Sequence, residues 1–129
     1  MRKLQVISVI DDDASVRAAT DNLLRSLGYP VCTFVSAEEF LRSAHLNDTS
    51  CVIADVQMPG MSGVDLQARL LTQGYRVPFI FITAFPEDTV RARALKAGAI
   101  CFLTKPFDRL TLIRCLDTAL ERHGGGIGE

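Results

Sequence analysis

With 129 residues, 48% of them apolar and 22% charged, the chain is long enough to bury one core of ordinary domain size. A formal net charge of -1 argues against the strongly basic surface that nucleic-acid binding normally shows. No apolar run approaches the roughly 20 residues that a membrane-spanning helix needs.

In chain order, Met1-Arg2-Lys3 leads into a short apolar run, Leu4 to Ile10, that is cut off by Asp11-Asp12-Asp13. The run is too short for a secretory signal and reads as a buried strand, so a cytoplasmic protein is expected. Val16, Thr20, Leu23, Leu24 and Leu27 then repeat at helical spacing over residues 14 to 27, with Gly28 as the stop. Val31 to Val35 is the second strand. Ser36 and Glu39 form a capping box for a short helix through about Ser43. Cys51 to Ala54 is a third buried strand, with Asp55 at its end and turn residues from Met58 to Gly63 behind it. The next helix, with Leu66 and Leu70 a turn apart, reaches about Gln73. Val77 to Ile82 is the fourth strand, ending at Thr83. Pro86-Glu87-Asp88 suits the first turn of a helix that stops at Gly98. Ala99 to Leu103 is the fifth strand, followed by Thr104-Lys105-Pro106. Asp108 then caps a helix carrying Leu112, Leu116 and Leu120. The four cysteines, Cys32, Cys51, Cys101 and Cys115, lie in apolar segments with no C-x-x-C spacing, and His45 and His123 are not near them in sequence. They read as small buried hydrophobes.

Five strands alternating with five helices predict an α/β fold, a doubly wound five-stranded parallel sheet covered on both faces. One domain is expected over residues 1–123, with the glycine-rich residues 124–129 a flexible tail or the start of a linker. In an open parallel sheet, ligands bind beyond the carboxyl ends of the strands. Those ends here carry Asp11, Asp12 and Asp13, then Asp55, Thr83 and Lys105. Crowded carboxylates require a cation, and hard oxygen ligands open to water suit Mg²⁺. A carboxylate can act as nucleophile towards phosphorus, and the transferring group needs cations and donors around it. Each residue alone has an ordinary explanation: Asp13 reads as a helix cap, Lys105 as a solvated lysine, and Arg91, Arg93 and Lys96 as a solvated helix face. Together they answer the needs of phosphoryl transfer to a carboxylate.

Over residues 4 to 122 the sequence resembles the receiver domain of two-component response regulators. The resemblance rests on Val9-Ile10-Asp11-Asp12-Asp13, Ala54-Asp55-Val56-Gln57-Met58-Pro59-Gly60-Met61-Ser62-Gly63, Phe81-Ile82-Thr83-Ala84 and Lys105-Pro106-Phe107. The second block looks most like receivers of the FixJ type, which precede a helix-turn-helix transcriptional domain. The resemblance implies a flavodoxin-like, CheY-like (βα)5 fold and Asp55 as phosphoacceptor from a sensor histidine kinase. It implies Mg²⁺ held by Asp12, Asp11, Asp55 and the backbone carbonyl of Gln57. Lys105 and Thr83 would engage the phosphoryl group, and Phe102, on an outer face of the fifth strand, would move inward with Thr83. A cis peptide at Lys105-Pro106 is also implied. Phosphorylation would switch the surface of the fourth helix, fifth strand and fifth helix, for homodimerisation or control of an output domain outside this chain. Phe102 stands where tyrosine is more usual and Phe85 where many relatives are polar. Gln57 and Phe85 flank the site, and slow hydrolysis of the phosphoryl group is expected.

Three other functions were open on the sequence. A Mg²⁺-dependent phosphatase could use Asp11 and Asp13, but the chain has no insertion for a substrate pocket and Asp55 would have no task. A flavodoxin-like binding module would want a phosphate loop where the aspartates stand. A degenerate receiver is opposed by the intact Asp55, Thr83 and Lys105 set. The expected role is thus a signalling domain, not an enzyme, without contacts to nucleic acid or membrane.

Overall fold

The computed structural model describes residues 5–121, so the expected tail at 124–129 lies outside the described residues. The elements are β1 (Val6–Ile10), α1 (Ala14–Ser26), β2 (Val31–Phe34), α2 (Ala37–Leu41), β3 (Thr49–Asp55), α3 (Gly63–Thr72), β4 (Phe79–Thr83), α4 (Asp88–Lys96), β5 (Cys101–Thr104) and α5 (Arg109–Leu120). All strand pairs are parallel, in the order β2-β1-β3-β4-β5. From β1 the chain runs outward to β2 and then returns past β1 to β3, so the winding direction reverses between β1 and β3. That reversal opens a crevice at their carboxyl ends.

The sheet is apolar on both faces because alternate residues point to opposite sides. Ile10, Val52, Ala54, Phe79 and Phe81 face one cluster with Phe40 of α2, Val64, Leu66 and Leu70 of α3 and Ala94 of α4. Ile7, Val9, Ile53, Ile80 and Ile82 face the other, with Leu24 of α1 and Leu112, Leu116 and Ala119 of α5. Every residue of the central strand β3 is buried.

Caps set the helix starts. Asp13 accepts the Ser15 and Val16 N–H groups at the start of α1, and Ser36 accepts that of Glu39 at α2. Ser62 accepts the Asp65 N–H at α3, and Asp108 that of Thr111 at α5. Helix α4 corrects the sequence reading: it begins at Asp88 after Glu87, leaving Pro86 in the loop. Strand β3 begins earlier than its apolar run. Ser8 Oγ and Thr49 Oγ1 lie 2.6 Å apart, and Thr49 Oγ1 donates to the His45 carbonyl at 2.7 Å, so buried hydroxyls are satisfied there.

The cysteine reading needs the larger correction. Cys101 and Cys115 are joined by a disulfide with Cα atoms 6.2 Å apart. The loop after β5 turns α5 back across β4 and β3, and Cys115 thereby meets the start of β5, 14 residues away in sequence. Cys51 and Cys32 are free. Burial pushes both thiols up in pKa, Cys51 far more because it is fully enclosed.

Candidate functional site

Ladder hydrogen bonds continue past the strand ends and hold the rim of the crevice. Asp11 N–H donates to Phe34 O at 3.1 Å, Val56 N–H to Ile82 O at 3.0 Å and Lys105 N–H to Thr83 O at 2.8 Å. The Lys105-Pro106 peptide is cis, as expected. By this route β1 delivers Asp11 and Asp12, β3 delivers Asp55, and the segment after β5 delivers Lys105.

One carboxylate oxygen from each of Asp11, Asp12 and Asp55 lies within 4.8 Å of the other two. Lys105 Nζ stands between two of them, donating to Asp55 Oδ2 at 2.9 Å and lying 3.1 Å from Asp11 Oδ2. Asp55 Oδ1 accepts the Gln57 N–H at 3.0 Å, which fixes the carboxylate at both oxygens. Asp11 Oδ1 accepts the Asp13 N–H at 2.9 Å. Asp11 Oδ2 is different. The lysine is close enough for an ion pair but off a hydrogen-bonding direction, so this buried oxygen has no hydrogen-bond donor among the described residues.

Burial pushes the Asp11 carboxyl above its ordinary pKa, a stronger influence than the Asp13 N–H and Lys105 that pull it down. For Lys105, burial opposes the charge, but the hydrogen bond to Asp55 and the charges of Asp11 and Asp55 outweigh it and hold the ammonium above its ordinary value. One ammonium faces three carboxylates, so the cluster keeps an excess of negative charge. Together with the donorless Asp11 oxygen, that excess fits a hard divalent cation bound by oxygen ligands.

The remaining sequence candidates sit around this centre. Asp13 is outside the carboxylate cluster, its Oδ1 taken by the start of α1. Thr83 is fully buried at the end of β4, and its hydroxyl accepts the Phe85 N–H at 3.1 Å. Gln57 and Phe85 are exposed beside the site. Phe102 is not on an outer face: it is half-buried, packs against the cluster beneath α3 and α4, and its ring lies 6.4 Å from that of Phe81. Because β5 is an edge strand, its inward residues remain partly open. Arg91, Arg93 and Lys96 are exposed, and Arg93 makes a surface ion pair with Asp65 at 3.3 Å.

Two positioning residues were not singled out in the sequence. Gly63 starts α3 directly against β3: a Cβ there would collide with the Asp55 carbonyl oxygen and lie 3.1 Å from the Phe81 ring. Glu38 of α2 accepts the Met61 N–H at 3.0 Å and so ties the loop after Asp55 to the neighbouring helix. The glycine sat within a motif already noted. The Glu38 contact spans 23 residues and leaves no local pattern.

Residues 7–117 match the response regulator receiver domain family. Nodulation protein W of Bradyrhizobium diazoefficiens is 41% identical over 91% of this chain and 52% of its own length. Response regulator protein TodT of Pseudomonas putida is 40% identical over 92% and 52%. The chain thus spans about half the length of these curated relatives. Among solved structures, response regulator StyR superposes with a TM-score of 0.88 at 40% identity, covering 95% of this chain and 62% of that one. FixJ-N gives 0.81 at 32%, covering 94% and 96%. Receivers of this kind hold Mg²⁺ in an acidic pocket and work with histidine kinases in two-component systems. No helix among the described residues is long and apolar enough to cross a membrane. The match over nearly the whole chain, on a (βα)5 sheet whose rim gathers Asp11, Asp12, Asp55 and Lys105, shows that this chain belongs to the response regulator receiver family.

Proposed function

We propose that the chain is a phosphorylation switch that accepts a phosphoryl group on Asp55 from a phosphohistidine of a sensor kinase. The observation that carries this reading is the placement of Lys105 Nζ, 2.9 Å from Asp55 Oδ2 and 3.1 Å from Asp11 Oδ2, beside a third carboxylate on Asp12. A carboxylate oxygen of Asp55 attacks phosphorus. The new P–O bond forms as the P–N bond breaks, and the electron pair returns to the imidazole nitrogen. Gln57 N–H holds Asp55 Oδ1 and so orients the carboxylate. Lys105 stays bound to Asp11 and passes from Asp55 Oδ2 to a phosphoryl oxygen. Asp11, Asp12, Asp55 and the Gln57 carbonyl would hold Mg²⁺, which would supply charge neutralisation for the transferring group.

Thr83 then exchanges the Phe85 N–H for the phosphoryl group, and Phe102 moves further in beside Phe81. This biases the surface of α4, β5 and α5 towards homodimerisation or control of an output domain. A transcriptional output outside this chain is in keeping with relatives named as transcriptional regulatory proteins, FixJ and TdiR. Residues 1–123 form the receiver, which catalyses only its own phosphotransfer and dephosphorylation. Exposed Phe85 and Gln57 slow the approach of water. The commitment of Asp13 to the α1 cap disfavours a phosphatase that pairs it with Asp11.

The test is intact mass after incubation with acetyl phosphate, with and without Mg²⁺, for the wild type and Asp55→Asn. A gain of one phosphoryl group that needs Mg²⁺ and vanishes in the variant is expected. No gain in the wild type would overturn the reading, and a gain surviving in the variant would move the nucleophile to Asp11 or Asp12.

A further inference from the structure

β5 is one of the two edge strands of the sheet and, unlike β2, has no buried residue. It pairs with β4 alone, and each of its residues is at least partly exposed. α5 lays Leu112, Cys115, Leu116 and Ala119 onto the sheet, chiefly over β3 and β4. The disulfide joins Cys101, the first residue of β5, to Cys115 on that buried face, 14 residues further on. The segment it closes carries Phe102, Lys105 and the first half of α5. The bond therefore brackets the lysine that meets Asp55 and Asp11, together with much of the surface assigned above to output.

The two remaining cysteines lie on strands away from Cys101. Cys32 is on β2 at the opposite edge of the sheet, four strand spacings of about 4.8 Å away. Cys51 is on β3, two spacings from β5, and fully buried. Cys101 is half-buried at the sheet edge, while Cys115 has only 6% of its surface exposed. A partly exposed cysteine paired with a buried one lets thiol–disulfide exchange begin at the more open member.

We propose that Cys101 and Cys115 form a reversible redox staple that governs how readily the β5–α5 segment rearranges when Asp55 is phosphorylated. The coupling rests on the phosphorylation reading above; the staple itself does not. The oxidant is a low-molecular-weight disulfide such as oxidised glutathione. Cys101 releases its proton to water and, as thiolate, attacks one sulfur of that disulfide, forming a mixed disulfide and expelling one small thiolate. Cys115, deprotonated in turn, attacks the Cys101 sulfur and expels the second. Two protein thiols are oxidised to one disulfide, one small disulfide is reduced to two thiols, and the two released protons go to the small thiolates. In the reduced protein, β5 is held by its ladder with β4, by its packing against α4 and by Phe102. In the oxidised protein it is also fixed to α5, and the residue beside Phe102 can no longer move independently of that helix.

The test equilibrates the protein in glutathione buffers of stepped ratio, then counts alkylatable thiols by mass after acid quench and denaturation. Amide hydrogen exchange, thermal unfolding and acetyl phosphate labelling are followed in both states, with Cys115→Ser as the comparison. Two alkylated cysteines in the oxidised protein and four in the reduced are expected, since Cys32 and Cys51 stay free. Oxidation should raise Tm by roughly 10 °C. It should also slow exchange in β5 and α5 and slow labelling by about fivefold or more. Cys115→Ser should show none of these responses. Four alkylated cysteines in every buffer, unchanged exchange over residues 101–115 on closure, or an equal response in Cys115→Ser would overturn the staple. Equal labelling rates with a closed and an open pair would overturn the coupling. Absence of labelling in both states, with exchange still responding, would refute the Asp55 reading and the coupling with it while supporting the staple.

Discussion

Replacing Gly63 by alanine sets two effects of opposite sign against each other. Gly63 is the first residue of α3 and is not among the glycines with positive φ, so alanine suits its backbone. On that ground alone the substitution would stabilise by about 0.4–1 kcal/mol, because the unfolded chain loses freedom. The added methyl, however, would press into the Asp55 carbonyl oxygen and the Phe81 ring. Neither neighbour can yield cheaply. Phe81 is fully buried, and Asp55 ends a strand in which every residue is buried. Overpacking of this kind costs about 1–3 kcal/mol, and a rigid backbone obstacle places it at the upper end. The net expectation is a loss of about 2 kcal/mol, or roughly 8 °C in Tm for a domain of this size. The relief must come from α3 or β3 shifting, so labelling of Asp55 by acetyl phosphate should slow as well. Thermal unfolding by circular dichroism, with intact-mass labelling kinetics, measures both. A Tm equal to or above that of the wild type would show that α3 moves away freely and that Gly63 does not hold the site's geometry.

Lys105→Gln removes the ammonium between Asp11 and Asp55, and the metal-free protein should lose about 2–4 kcal/mol. Added Mg²⁺ should then raise Tm more in the variant than in the wild type; equal shifts would mean that the lysine does not offset the carboxylates. The Met61 N–H lowers the pKa of Glu38 below its ordinary 4.5, so the stability it contributes is present above that value and is lost as pH falls through the lower, folded-state pKa. Glu38→Gln should therefore flatten the acid arm of the Tm–pH curve, and an unchanged slope would dismiss the contact. Leu116→Ala, at a site 1% exposed, should cost about 2–5 kcal/mol by urea unfolding. Leu110→Ala, at a site 61% exposed, should change stability by no more than about 0.5 kcal/mol, and similar losses in the two would contradict the assigned face of α5.

The strands and helices were legible because each carries a local period, and the rim residues because a parallel sheet places strand ends on one side. The errors occur where a local pattern is silent. Thr49 and Ser50 extend β3 although both are polar, since Ser8 and the His45 carbonyl satisfy the Thr49 hydroxyl. Pro86 resembles a helix start, yet Glu87 occupies the cap, so α4 begins two residues after the proline. The Cys101–Cys115 bond depends on how α5 folds back across the sheet, and two apolar cysteines give no sign of that. Phe102 was assigned to the wrong side for a related reason: which face of an edge strand is covered depends on the helices opposite. Gly63 stood within a recognised block, but its closeness to Asp55 becomes visible only when α3 is placed against β3.

The two apolar clusters on either side of the sheet also bear on how such a sequence can change over generations. Ile80 and Ile82 belong to one and Phe79 and Phe81 to the other, so neighbours along β4 answer to different helices. A substitution under α5 is compensated among the partners of Leu112 and Leu116, and one under α3 among those of Leu66 and Phe40. The sheet works as a bulkhead: each compartment can drift in sequence on its own, while the strand ends, common to both, keep Asp11, Asp55 and Lys105 in place.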